Sequence, residues 1–258
     1  HVRKSAILNA DDAATPWFRT IFGGRVVTFG RAEGADVRVL RVLESESDLA
    51  FRIDVRGRVV EGRVPLVGRH QIGAVAAALA IASELGLDLA RVADRLASFQ
   101  GAPGRMRPVA AGPVLLYDDC YNASPAAVRE AIGFVCRRIE RPIVLVLGDM
   151  LELGARSEAI HRALGQEIGE RPVDRIVAVG PMARALAEEA RRTSAGRIEI
   201  ACTADAVEAS RTIGELVATG DCVLVKGSRG IALERVVDAI GRLFRTGGGT
   251  RRLAASGI

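Results

Sequence analysis

The stretch Val114–Leu115–Leu116–Tyr117–Asp118–Asp119–Cys120–Tyr121–Asn122–Ala123–Ser124–Pro125 decides how the chain is read. Four apolar residues make a short buried strand, and two carboxylates stand at its C-terminal end. Ser124–Pro125 then starts a helix, with Ser124 as N-cap and Pro125 at the first helical position. In an open parallel sheet, ligands bind beyond the carboxyl ends of the strands, so Asp118 to Asn122 are expected at the working edge. As ordinary turn and capping residues, the same carboxylates would need no ligand.

Downstream and just upstream of this stretch the pattern is regular. Strands are expected at 113–117, 142–147, 174–179, 197–201 and 222–226, and helices at 125–139, 157–169, 182–192, 205–218 and 230–244. Strands separated by single helices of this length form right-handed βαβ units and a mostly parallel sheet covered on both faces. The spacing predicts an α/β, Rossmann-like domain over residues 108–245, with a disordered tail at 246–258.

Residues 1–65 read as strand-rich: Val2–Leu8, Arg25–Gly30, Val37–Val42, Leu49–Val55 and Val59–Val64, the last two flanking Arg56–Gly57–Arg58 as a hairpin. From Gly68 the period becomes helical. Ile72, Val75, Ala76, Leu79 and Ala80 share one face until Gly86 stops the helix, and a second helix runs from Leu89 to Ser98. Gln100 to Pro108 is a Pro/Gly linker and sets the boundary between a domain at 1–107 and the next.

The 258 residues suffice for one large or two medium domains, and 49% hydrophobic with 26% charged residues is ordinary for a globular protein. The net charge of +5 comes from scattered arginines, so no nucleic-acid partner is expected. No apolar run approaches the roughly 20 residues that cross a bilayer, and no signal peptide is visible, which points to a cytoplasmic protein without membrane insertion. Cys120, Cys136, Cys202 and Cys222 form no CxxC pair and are expected to be reduced, and no metal site is expected among the residues present. Cys120 lacks a nearby histidine to activate it as a nucleophile. The chain opens on His1 inside an expected strand, from which an upstream portion is inferred.

Three further polar loops follow expected strands: Gly148–Asp149–Met150–Leu151–Glu152–Leu153–Gly154, Gly180–Pro181, and Lys226–Gly227–Ser228–Arg229–Gly230. In a parallel sheet Asp119, Asp149, Lys226, Ser228 and Arg229 gather at one rim. That mixture suits a zwitterionic or phosphorylated ligand, with an anion favoured at the following helix N-terminus. The plain alternative is a set of helix-end glycines and a solvated Lys/Arg pair. Neither GxxxxGK[ST] nor GxGxxG occurs, so no complete phosphate-loop or dinucleotide site is visible. His70 and His161 are each open to a ligand, base or structural role.

The three motif stretches Asp118–Pro125, Leu147–Gly154 and Val225–Arg229 resemble the signatures of the Mur ligase family. Leu8–Asn9–Ala10–Asp11–Asp12, Thr28–Phe29–Gly30, Ala35–Asp36–Val37–Arg38, Gly68–Arg69–His70 and Pro103–Gly104–Arg105–Met106 agree as well, so the similarity covers nearly the whole chain. Within the family, the Lys226–Gly227–Ser228–Arg229 stretch fits the member that adds a dipeptide. The resemblance implies the C-terminal part of a central ATPase domain followed by a Rossmann-like third domain, hinged at Gly101 to Pro108. It places the phosphate loop and the magnesium ligands upstream of His1.

The implied activity is ATP- and Mg2+-dependent amide formation between UDP-MurNAc-tripeptide and D-alanyl-D-alanine through an acyl phosphate, by a monomer that is inactive as the isolated 258 residues. In that reading Arg105 reaches the ATP phosphates and Lys226 joins it as a catalytic residue. Asp119 accepts ribose hydroxyls, Tyr121 and Asn122 complete the nucleotide contact, and His70 and Gln71 approach the base. Asp149, Ser228 and Arg229 receive the dipeptide, an anion for its amine and a cation for its carboxylate. The family's HNxxNA pattern reads His70–Gln71–Ile72–Gly73–Ala74 here, and Ala74 offers no amide. Rival readings are a non-catalytic homologue that binds a nucleotide or dipeptide, and an unrelated Rossmann-type enzyme, against which the absent glycine fingerprint argues.

Overall fold

The computed structural model describes residues 5–99 and 101–245. The expected strand start at Val2 and the expected tail at 246–258 lie outside the described residues. The chain divides into two compact units, one ending at Gly101 and the other beginning at Ala102.

The first unit is a five-stranded sheet in chain order: β1 (Ser5–Asn9), β2 (Arg25–Gly30), β3 (Val37–Glu44), β4 (Leu49–Val55) and β5 (Arg58–Val64). β1–β2 and β2–β3 pair parallel, and β3–β4 and β4–β5 pair antiparallel. The expected hairpin is present. Arg56 and Gly57 both take positive φ (53° and 85°), the requirement of a tight primed turn, and Asp54 Oδ1 accepts the Gly57 N–H at 2.7 Å. α2 (Ile72–Glu84) and α3 (Leu89–Ala97) supply Ile72, Val75, Ala76, Leu79, Ala80 and Ala93 to a core shared with Val27, Val37, Ile53 and Val64. One helix has no counterpart in the sequence reading, α1 (Thr15–Ile21). Its seven residues are too few for a helical period to register, and Trp17, Phe18 and Ile21 are exposed.

Polar residues of this unit hold its loops. The Asp11 carboxylate accepts the N–H groups of Arg31 and Ala32, and Asp36 Oδ2 accepts both the N–H and the hydroxyl of Thr28. Glu84 receives Arg56 at 2.7 Å, Arg25 at 3.2 Å and the Ser5 hydroxyl at 3.2 Å. Burial alone would raise the Glu84 carboxyl, but these donors outweigh it and hold it below its ordinary value.

The second unit is a six-stranded sheet in the order β10-β9-β8-β11-β7-β6. Its elements are β6 (Arg107–Ala111), β7 (Val114–Asp119), α4 (Pro125–Arg138), β8 (Ile143–Gly148), α5 (Ser157–Gly169), β9 (Arg175–Val179), α6 (Pro181–Thr193), β10 (Glu199–Thr203), α7 (Ala206–Leu216), β11 (Cys222–Lys226) and α8 (Glu234–Arg245). All pairings are parallel except β6–β7. β6 is unanticipated by the sequence reading, because Arg107 and Pro108 fall in the Pro/Gly stretch. Pro108 is tolerated there because β6 is an edge strand. Leu116, Val144, Val146, Val177, Val223 and Val225 meet Ile213 of α7 and Val236, Ile240 and Phe244 of α8. On the other face Tyr117 stands edge-on to Phe134 of α4, ring centroids 5.5 Å apart. The helices after β7 and β11 therefore cover opposite faces of adjacent strands, the arrangement that opens a crevice at their carboxyl ends. Ser124 and Pro125 start α4 as expected, the Ser124 hydroxyl accepting the Ala127 N–H at 3.3 Å.

α5 and α6 approach through glycines one turn apart. A Cβ on Gly165 would lie 2.2 Å from the Leu186 carbonyl oxygen, and one on Gly169 2.6 Å from Thr193 Cβ. Gly165→Ala is expected to destabilise the second unit by roughly 1–3 kcal/mol. Gly73→Ala, inside α2 with nothing within 4 Å of the added carbon, is expected to gain roughly 0.5–1 kcal/mol in the first unit. Calorimetric unfolding of the two variants checks both signs. A second expectation is the pH dependence of the first unit. Because the Glu84 carboxyl is held low in the folded state, its contribution is complete above about pH 4.3 and is lost as pH falls through the folded value. Glu84→Gln should flatten the loss of unfolding midpoint on acidification, and an acid limb as steep as the parent's would contradict it.

Candidate functional site

β7 keeps both carboxylates inside the strand, in parallel register with β11: Asp118 opposite Val225 and Asp119 opposite Lys226. Side chains alternate across a strand, so Asp119 shares the face of Tyr117 while Asp118 shares that of Leu116. Asp119 Oδ2 accepts a hydrogen bond from Lys226 Nζ at 2.6 Å, and the same ammonium donates to the Asn122 carbonyl at 3.1 Å. Lys226 is 2% exposed and Asp119 8%, so this ion pair lies beneath the rim rather than on it. Asp119 Oδ1 also accepts the Met106 N–H at 3.1 Å.

Asp118 serves the other face. Its Oδ2 accepts the Gly104 N–H at 2.9 Å and lies 3.6 Å from the Arg107 guanidinium, and its Oδ1 accepts the Cys120 thiol at 3.0 Å. Burial first, then the hydrogen bond and charge of Asp118, push the Cys120 thiol far above its ordinary value. It is a protonated donor and not a thiolate nucleophile.

At the surface of the same corner, the Arg105 guanidinium carbon lies 4.2 Å from the centre of the Tyr121 ring and that of Arg229 lies 5.3 Å from it. Both are within cation–π range. Tyr121 is 44% exposed, so two cations and an aromatic face are presented together to solvent.

Asp149 and Ser228 flank β11 on its β8 side. Asp149 Oδ1 accepts the Ala183 N–H at 2.7 Å, which caps the first turn of α6, where a negative group is favoured. Gly180 makes room for it: φ is +104°, and a Cβ there would lie 2.7 Å from Asp149 Oδ1. The Ser228 N–H donates to the Asp149 carbonyl at 3.1 Å, and its hydroxyl accepts the Leu151 N–H at 2.9 Å. Ser228 thereby ties the loops after β8 and β11 together. His161 takes the structural role: fully buried, it accepts the Met150 N–H on Nε2 at 3.0 Å while Nδ1 donates to the Ser157 carbonyl at 2.8 Å.

Six of the residues singled out from sequence thus converge around the ends of β7 and β11: Arg105, Asp119, Tyr121, Asn122, Lys226 and Arg229. His70 and Gln71 belong to the first unit, in the turn Arg69–Gln71 that leads into α2. There His70 is exposed, and Gln71 Nε2 donates to the Val67 carbonyl at 3.4 Å. The sequence places Asp118 at the working edge, with turn and cap as the plain alternative, but does not show which loop it holds. The signal that could have found it is the strand alternation itself, because consecutive carboxylates at a strand end serve two faces.

The Asp119–Lys226 pair sets a stability expectation. Lys226→Met leaves a buried carboxylate uncompensated and should cost about 3–5 kcal/mol, whereas adding Asp119→Asn to the same variant should recover part of it. Urea unfolding of the single and double variants measures the coupling. A Lys226→Met chain within about 0.5 kcal/mol of the parent, as for an exposed side chain, would refute the pair's role.

Residues 104–229 match the family described as Mur ligase, glutamate ligase domain. The chain is 32% identical to the UDP-N-acetylmuramoyl-tripeptide–D-alanyl-D-alanine ligase of Escherichia coli (strain K12), over 91% of this chain and 51% of that protein. It is 30% identical to the ligase of the same name from Mycobacterium tuberculosis (strain CDC 1551 / Oshkosh), over 92% and 50%. A crystal structure of MurF from Acinetobacter baumannii superposes with a TM-score of 0.83 at 30% identity, over 93% of this chain and 52% of that one. The Thermotoga maritima MurF ligase in complex with ADP gives 0.73 at 25% identity, over 95% and 54%. The chain spans about half the length of these relatives. On this agreement of motifs, sequence and fold, the chain belongs to the Mur ligase family.

Proposed function

We propose that the chain forms part of an ATP-dependent ligase of peptidoglycan precursor synthesis, which joins D-alanyl-D-alanine to UDP-MurNAc-tripeptide. The relatives at about 30% identity carry the name of that reaction, and one structural neighbour was crystallised with ADP. The observation that carries the reading is the pair of guanidiniums, Arg105 and Arg229, on the exposed Tyr121 ring directly above the junction of β7 and β11.

In this reading the tripeptide's terminal carboxylate takes the γ-phosphoryl group of ATP and ADP leaves. The dipeptide amine then attacks the acyl carbon and phosphate departs. A carboxylate oxygen is a poor leaving group until it carries phosphate, and the charge that develops in transfer needs fixed cations. Arg105 is the catalytic residue, directed at the phosphates. Lys226 acts through its hold on Asp119, which is directed at the ribose beside Tyr121 and Asn122. His70 and Gln71 serve the base. Arg229 receives the dipeptide carboxylate. Asp149 and Ser228, whose polar atoms already serve Ala183 and Leu151, shape that part of the rim. Among the described residues no group of three or more His, Cys, Asp or Glu side chains that could hold a metal ion converges, and this reading assigns them no Mg2+ ligand. No described helix is long and apolar enough to cross a membrane, and substrates of this class put the activity in the cytoplasm.

Calorimetric titration tests the reading. ATP should bind at least about tenfold more tightly than adenosine, and Arg105→Ala should remove that margin while leaving adenosine binding unchanged. Equal affinities in the parent chain would refute it. With ATP and both co-substrates, the 258-residue chain by itself should form no product, and steady ADP release would count against this assignment. Ala74, which offers the base no amide, favours a second reading as a non-catalytic binding homologue. Turnover on supplying the remaining segments of a relative separates the two.

A further inference from the structure

Arg105 stands in an unusual stretch of backbone. The residues on either side of it both adopt left-handed conformations, Gly104 at φ +72° and Met106 at φ +48°. For methionine that region is uncommon, and it persists only where the surroundings impose it. Here the surroundings are two carboxylates. Asp118 Oδ2 accepts the Gly104 N–H at 2.9 Å and Asp119 Oδ1 accepts the Met106 N–H at 3.1 Å, so the amide before Arg105 and the amide after it are each held by one of two consecutive side chains. The Gly104 carbonyl in turn accepts the Tyr121 N–H at 3.1 Å, and a Cβ on Gly104 would come within 2.8 Å of Tyr121 N. The loop that bears Arg105 and the loop that bears Tyr121 are therefore in backbone contact.

From this geometry we infer that Asp118 is the positioning residue of Arg105, gripping the Gly104 amide so that the guanidinium is delivered onto the Tyr121 ring. Asp119 complements it from the other side, holding the amide that follows Arg105 while it is engaged by Lys226. Asparagine is a poor replacement for Asp118. One oxygen of the carboxylate faces the Gly104 N–H and the other faces the Cys120 N–H and thiol, so an amide must turn its NH2 toward one of these two backbone N–H groups. The consequence for phosphate affinity rests on the nucleotide reading above, while the positioning itself does not.

Asp118→Asn in the 258-residue chain is the test, with Asp221→Asn as the comparison. Asp221 is a 5%-exposed carboxylate just ahead of β11, at the other end of the strands, and it holds the Ala218 N–H at 2.8 Å. NMR of the arginine Nε–H groups reads the stacking directly, as an upfield ring-current shift assigned to Arg105. In Asp118→Asn that shift is expected to vanish and affinity for inorganic tripolyphosphate to fall about tenfold, the share of one misplaced charged donor. In Asp221→Asn both should stay at parent values although stability drops. An unchanged Arg105 signal in Asp118→Asn, or the same change in both variants, would overturn the inference. If Asp118→Asn does not fold, amide exchange in the parent decides: a Gly104 N–H protected like those of β7 supports the grip, and one exchanging as an open loop refutes it. A parent chain that shows the stacking but no tripolyphosphate affinity would sink the nucleotide reading and leave the positioning role standing.

Discussion

The parallel register of β7 with β11 is the constraint on which the second unit's chemistry depends. It sets Asp119 opposite Lys226 and makes the 2.6 Å ion pair unavoidable once both strands are buried. Two charges taken out of water are tolerated only when paired and fully hydrogen-bonded. The pairing is completed by the Asn122 carbonyl on one side and the Met106 N–H on the other. Each of those partners belongs to a loop, so the pair organises loop backbone as much as it neutralises charge. What reaches solvent above it is the product of that organisation: two guanidiniums on one phenol ring.

The strand order explains why this happens at β7 and β11 and not elsewhere. From β7 the chain moves outward through β8, β9 and β10, then returns to insert β11 beside β7. Right-handed crossovers taken in opposite directions use opposite faces, so α4 lies on one face and α7 on the other, where α8 joins it. The space between their ends is left for loops and ligand. The junction of β11 with β8 is closed instead: Ser228 ties one loop to the other, and the Asp149 carboxylate is used up at the start of α6.

Much of this was legible in the sequence because it is local. The βαβ alternation, Ser124–Pro125 at the start of α4 and the hairpin at Arg56–Gly57 each depend on residues within a few positions of one another. The gathering of strand-end residues followed from the parallel sheet. What could not be read was which polar atoms were already spoken for. Asp149 looks free until Gly180 brings the α6 N-terminus to it, 31 residues later in the chain, and Ser228 looks like a ligand until its hydroxyl meets Leu151. β6 was hidden by Pro108, whose usual meaning inside a sheet is exclusion, and α1 by its brevity. Asp118 was hidden by its neighbour, since two adjacent carboxylates look redundant until the pleat assigns each a different face.

The pleat also limits how this region can change over generations. Inserting or deleting one residue in β7 would exchange the faces of the two carboxylates, swing Tyr117 away from Phe134, and carry Leu116 out of its own layer. Only changes of two residues preserve sidedness, and those would displace both loop anchors by a full repeat. Length variation among descendants of such a chain should therefore collect beyond Thr193, while the run from Val114 to Asp119 is inherited as a block of fixed length.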